Sequence, residues 1–143
     1  MATSLVHLFP PKHHSRALGI LESVLAQNPD HVPCLLARGY VFRYAGKYSE
    51  ARGLFVRVAK LASKQEEDLL ILLEAQEEIG WCDALSGELT RAEGELKTVI
   101  EVLDGLPGEE EMKAKAWWRL GRTLWDQGGR STLATRLWAI SLN

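Results

Sequence analysis

Apolar residues recur along this chain at helical spacing, and proline and glycine cut them into helix-length pieces. From Ser15 to Gln27 they line one side of a helix, and Asn28-Pro29-Asp30 stops it, because the residue before a proline is pushed out of the helical region. Asp30 stands where an N-cap of the next helix belongs, and Pro33 falls in that helix's first turn, where a missing N–H costs little. This second helix reaches about Ala45, and Gly46-Lys47 makes a tight turn. Ser49 to Ala62 then places Ala51, Phe55, Val58 and Ala62 on one face. A long fourth helix runs from about Glu66 to Leu85, with Glu66, Glu67 and Asp68 set against its N-terminal dipole, and Ser86-Gly87 ends it. A fifth spans Glu88 to Leu103, and Gly105-Leu106-Pro107-Gly108 is a loop. Glu109 to Gln127 and Ser131 to Leu142 are the sixth and seventh, parted by Gly128-Gly129. The first twelve residues, ending in Pro10-Pro11, read as a tail or a truncated helix. No strand-length run alternates β-branched or aromatic residues, so the expected fold is all α: a stack of antiparallel hairpins of about seven helices, with no sheet.

The pieces repeat. Gly39, Gly80 and Gly121 follow one another at an interval of forty-one, and so do Gly46, Gly87 and Gly128. Each unit has one glycine inside a helix and a second that ends the helix seven residues later. Ala51, Phe55 and Val58 return at the same interval as Ala92, Leu96 and Val99, and are preceded, thirty-four positions earlier, by Ala17, Leu21 and Val24. A mid-helix glycine costs about 1 kcal/mol relative to alanine, so three at one register need a reason. Close approach of two helices supplies it: Ala51 or Ala92 makes the reciprocal contact, and Phe55 or Leu96 fills the gap one turn on.

This pattern resembles the tetratricopeptide repeat, with its W-x2-L-G-x2-Y first helix and its A-x3-F second helix. Trp117, Leu120, Gly121 and Leu124 match the first half, with leucine for the last aromatic; Leu35, Arg38, Gly39 and Phe42 match it with leucine for tryptophan and arginine for leucine. The unit between keeps Ile79-Gly80 but holds Gln76 and Asp83 in the aromatic slots. In the last unit Ala134, Trp138 and Ser141 fit only with one residue inserted after Gly128. The resemblance implies a right-handed superhelix, divided as a partial repeat over 13–29 and repeats over 30–63, 64–105 and 106–143 within one domain. The seven extra residues of each lengthened unit are expected in lengthened helices and loops at 64–72 and 105–111.

Three segments, SRALGILESVLAQNPDHVPCLLARGY, EAQEEIGWCDALSG and AKAWWRLGRTLWDQGG, are similar to the tetratricopeptide scaffold subunits of the superkiller complex. That resemblance implies a cytoplasmic, non-catalytic scaffold in 3′-to-5′ mRNA decay, a stretch of a longer solenoid that holds an RNA helicase and a β-propeller subunit and meets RNA only indirectly.

Composition agrees with one globular domain: 143 residues, 46% apolar and 25% charged. A domain of that size buries roughly 70% of its unfolded surface and needs neither disulfide nor metal. No apolar run is long enough to span a bilayer, and MATSLVHLFP has neither a basic start nor a long apolar stretch, so neither membrane insertion nor secretion is expected. Cys34 and Cys82 are far apart and form no C-x-x-C motif; they read as free packing thiols of a reducing compartment. No nucleotide-binding, metalloprotease, hydrolase or calcium-loop motif is present, and no nucleophile is nominated; no enzymatic activity and no cofactor are expected. His7, His13 and His14 have the chemistry of a weak metal site but read as exposed tail residues, and no metal is expected. Glu74, Glu77 and Glu78 read as a solvated or partner-facing helix side.

Charge is segregated. Residues 31–64 hold seven Lys/Arg and one acid, residues 65–111 hold two and fifteen, and residues 112–143 hold six and one. Complementarity between neighbouring hairpins is the simplest account, and a polar docking surface the functional one. In a stack of hairpins the first helix of each pair carries a second stripe facing away from its partner. Here it runs through Pro33, Leu36, Tyr40, Arg43 and Tyr44, then Glu74, Glu77, Trp81 and Leu85, then Lys115, Trp118, Arg122 and Trp125. Tyrosine, tryptophan and arginine dominate binding hot spots, so Leu36, Tyr40, Arg43, Tyr44, Glu77, Trp81, Lys115, Trp118, Arg122 and Trp125 form the expected partner groove, at least partly open; packing between repeats is the competing role. A generic adaptor for a peptide or helix and a direct RNA-binding repeat are the alternative functions. At the first hairpin, Leu18, Leu21 and Leu25 need covering, by Val6, Leu8 and Phe9 of the tail or by end-to-end pairing of two copies.

Overall fold

The computed structural model describes residues 14–128 together with Ile140. Six α-helices and no strand occur among the described residues: α1 (His14–Gln27), α2 (Val32–Tyr44), α3 (Tyr48–Ala62), α4 (Leu69–Leu85), α5 (Leu89–Asp104) and α6 (Glu110–Gly128). The all-α hairpin architecture expected from spacing is the one that forms. The expected seventh helix, with Ala134, Trp138 and Ser141, lies outside the described residues except for Ile140, which is helical. The tail carrying Val6, Leu8 and Phe9, with His7 and His13, lies outside them as well.

Two starts differ from expectation. The cap of α2 is His31, whose Nδ1 accepts the Cys34 N–H at 3.3 Å. Asp30 is one residue too early and instead takes Arg57 at 2.6 Å. Glu66–Asp68 forms a 3-10 turn, and the α-helix begins only at Leu69. This turn lengthens the connection only slightly, and most of the first stretch of extra residues lengthens the helix itself, α4 having 17 residues against 13 in α2.

Helix ends follow the second glycine series. Gly46 and Gly87 have φ of +79° and +88°, a backbone conformation open to glycine at little cost. Around Gly46, Lys47 N–H donates to the Phe42 carbonyl and Gly46 N–H to that of Arg43, at 2.8 and 3.0 Å. Around Gly87, Glu88 donates to Asp83 and Gly87 to Ala84, at 2.8 and 3.1 Å. Both are Schellman motifs, satisfying carbonyls that a helix end would leave bare.

The chain forms two compact units divided between Ala75 and Gln76, within α4. In the first, α2 packs on α1 and on α3. A Cβ at Gly39 would lie 2.7 Å from the Phe55 ring, so only glycine admits the ring at its observed place. Phe55, Ala51 and Val58 are buried, and Tyr40 meets Phe55 edge to face at 5.4 Å. In the second, α5 packs on α6, and a Cβ at Gly80 would lie 3.0 Å from Leu96 Cγ, with Ala92, Leu96 and Val99 buried. The same contact is thus built twice. In α1 it is incomplete: Ala17 and Leu21 are buried, whereas Val24 is 36% exposed. Cys34 and Cys82 are buried thiols, and burial pushes the Cys34 thiol above its ordinary pKa.

Candidate functional site

In the second unit the residues of the expected groove converge with residues that the groove reading left out. Arg119, on α6, is buried and donates from one terminal nitrogen to Glu77 at 2.6 Å and to Glu78 at 2.9 Å. Lys115, one turn before it, stands 3.7 Å from Glu77. The Arg119 guanidinium also lies over the Trp81 ring, 5.2 Å from its centroid, and Trp81 meets Trp118 edge to face at 5.9 Å. Glu77 and Glu78 are enclosed rather than solvated, which corrects the reading of that acidic run. The cause is α6, which brings cations to them; two enclosed carboxylates without such partners would be severely destabilising. Asp83 is buried and paired with Arg91 at 2.9 Å, a hydrogen bond that holds Arg91 still more firmly protonated.

In the first unit Leu36 and Tyr40 are closed off, with Tyr40 only 2% exposed, so the stripe is not open there. Phe55 covers one edge of Tyr40, and the Tyr40 hydroxyl donates to the Glu74 carboxylate. Arg43 is half-buried, its guanidinium 4.6 Å from the Tyr44 ring centroid and 5.7 Å from that of Tyr40. Tyr44 is 48% exposed. Phe42 carries a similar load, with Arg38 at 5.3 Å and Lys47 at 5.7 Å over its ring.

Of the ten groove residues, Leu36, Tyr40 and Glu77 are buried; Arg43, Trp81, Lys115, Trp118 and Trp125 are half-buried; Tyr44 and Arg122 are exposed, Arg122 pairing with Asp126 at 3.2 Å. Pro33 and Leu85 of the wider stripe are exposed. The arrangement offers aromatic edges and guanidinium faces for packing and hydrogen bonding. No group of three or more His, Cys, Asp or Glu among the described residues is placed to hold a metal ion. An open cleft of about 500 Å³ at the α3–α4 connection is lined by Ser63, Lys64, Gln65, Glu66, Leu69 and Leu72. No helix among the described residues is long and apolar enough to cross a membrane. No protein-family model matches the chain, and no curated protein matches it.

Proposed function

We propose that this chain is a non-enzymatic protein-interaction scaffold of tetratricopeptide type, acting within the cytoplasmic superkiller complex in exosome-linked 3′-to-5′ mRNA decay. One observation carries the scaffold reading. The close approach of Gly39 to Phe55 returns as that of Gly80 to Leu96, and the helix-ending motif of Gly46 returns at Gly87. Units that repeat their packing leave an extended surface available for partners. The aromatic and basic side chains that retain exposure, Arg43 and Tyr44 in the first unit and Trp81, Trp118, Arg122 and Trp125 in the second, supply the contacts. The superkiller assignment rests on the three similar segments alone, and brings as partners an RNA helicase and a β-propeller subunit.

The test is calorimetric titration of the purified chain with the helicase and β-propeller subunits of that complex, each without RNA. Saturable binding to either is expected, weakened by Tyr44→Ala with Trp118→Ala. Absence of binding to both would overturn the superkiller assignment. Affinity for RNA alone that falls steeply with salt would favour the RNA-binding alternative.

A further inference from the structure

Three glycines stand inside helices with no neighbour to explain them. Gly19 in α1, Gly53 in α3 and Gly94 in α5 share one register, at intervals of thirty-four and then forty-one, and a Cβ at any of them would meet nothing within 4 Å. Each forgoes about 1 kcal/mol of helix stability relative to alanine. Gly39 and Gly80 have an internal reason, and these do not.

The faces around Gly53 and Gly94 are inverted in charge. Glu50, Arg52 and Lys60 of α3 correspond, one repeat on, to Arg91, Glu93 and Glu101 of α5. The contrast is strongest at the C-terminal ends. Lys60 lies in the last turn of α3 and Lys64 just beyond it, while α5 closes with Glu101 and Asp104 and has no basic residue in its last turn. Cations suit a helix C-terminus, so the Lys60 end is locally satisfied and the Glu101 end is not. Lys60, Lys64, Glu101 and Asp104 are exposed, and none of their side chains is paired with a described residue. Val56 and Val102 add exposed apolar surface beside them, each at 40%.

We propose that these two faces dock between two copies of the chain, α3 of one copy lying parallel to α5 of the next. Gly53 then meets Gly94, and Lys60 meets Glu101. Each charged residue lies seven positions after its glycine, the spacing that keeps both on one seam between parallel helices. The glycines let the backbones approach, and the cations of one copy neutralise the acids that oppose the α5 dipole in the other. The two surfaces differ, so the contact is head to tail and each added copy presents a further free face. One helix pair buries less than the about 1,200 Å² of a stable interface, so association is weak and sensitive to salt.

Sedimentation of the full chain at high protein concentration, in salt from about 0.01 M to about 1 M, tests this. Wild type should associate at low salt and be monomeric at high salt. Lys60→Glu and Glu101→Lys should each abolish association, with helicity by circular dichroism unchanged, and the two together in one chain should restore it. A chain monomeric at every salt concentration would overturn the proposal, whatever else that face holds. Association that survives both single reversals, or that the double reversal fails to restore, would overturn it equally.

Discussion

Glu78 and Arg119, forty-one residues apart and at the same position of successive repeats, meet at 2.9 Å in the interior of the second unit. The position is a small apolar one in the first unit, where Ala37 is fully buried. The position has therefore exchanged a methyl for a carboxylate in one repeat and a guanidinium in the next, both within the second unit, and each makes the other tolerable. The neighbouring Glu77 joins the same guanidinium at 2.6 Å.

Removing one member of this cluster should be far worse than removing all of it. Arg119→Met takes from the enclosed Glu77 and Glu78 the guanidinium they share, leaving Lys115 as the cation beside Glu77, and is expected to lower stability by about 3–5 kcal/mol. Combining it with Glu77→Gln and Glu78→Gln should recover most of that loss, since no buried charge then lacks a counter-charge. Urea unfolding of the three-fold variant beside the single one reads the difference, and a single variant as stable as wild type would show that the cluster is not enclosed.

The helix ends at Gly46 and Gly87 are expected to be intolerant of a side chain. Alanine at either must hold a left-handed backbone, at a cost of roughly 1–2 kcal/mol. Asparagine, which visits that region more readily, should lose less. Thermal unfolding of Gly46→Ala, Gly46→Asn and the corresponding Gly87 variants gives the order directly; alanine and asparagine equal to glycine would contradict the Schellman geometry.

Cys34 sets an alkaline limb on stability. Its burial favours the neutral thiol, so its folded pKa stands above the unfolded one. The folded state then holds the proton more tightly, and its contribution is fully present below the unfolded thiol pKa of about 8.5 and lost as pH rises toward the folded value. Cys34→Ala should flatten that limb, and Cys34 in the folded chain should react slowly with thiol reagents at neutral pH. Labelling as fast as for an unfolded peptide would contradict this.

Helix limits were legible because proline and glycine mark them, and the paired glycine series pointed to both the Phe55 and Leu96 contacts and the turns. Asp30 misled because capping preference is a property of residue type, whereas the helix began one residue later and gave the role to His31. Glu77 and Glu78 misled for a different reason. A carboxylate run reads as solvated unless a distant cation is known to reach it, and Arg119 comes to Glu77 from the next helical hairpin in sequence. The signal existed in the repeat register, which places Glu78 and Arg119 with buried Ala37. Spacing alone leaves Tyr40 on an open stripe, because it does not register that the ring leans on Phe55 and that its hydroxyl reaches Glu74.

The repeated hairpin contact is tested most directly by placing the same side chain at two glycines of one hairpin. Gly39→Ala drives a Cβ to 2.7 Å from the Phe55 ring, an overpacking of about 1–3 kcal/mol that outweighs the roughly 1 kcal/mol gained in helix propensity. Gly53→Ala meets nothing within 4 Å and should keep that gain. Thermal midpoints are therefore expected to fall for Gly39→Ala and rise for Gly53→Ala. A rise in both, or no difference between them, would contradict the close approach on which the repeat is built.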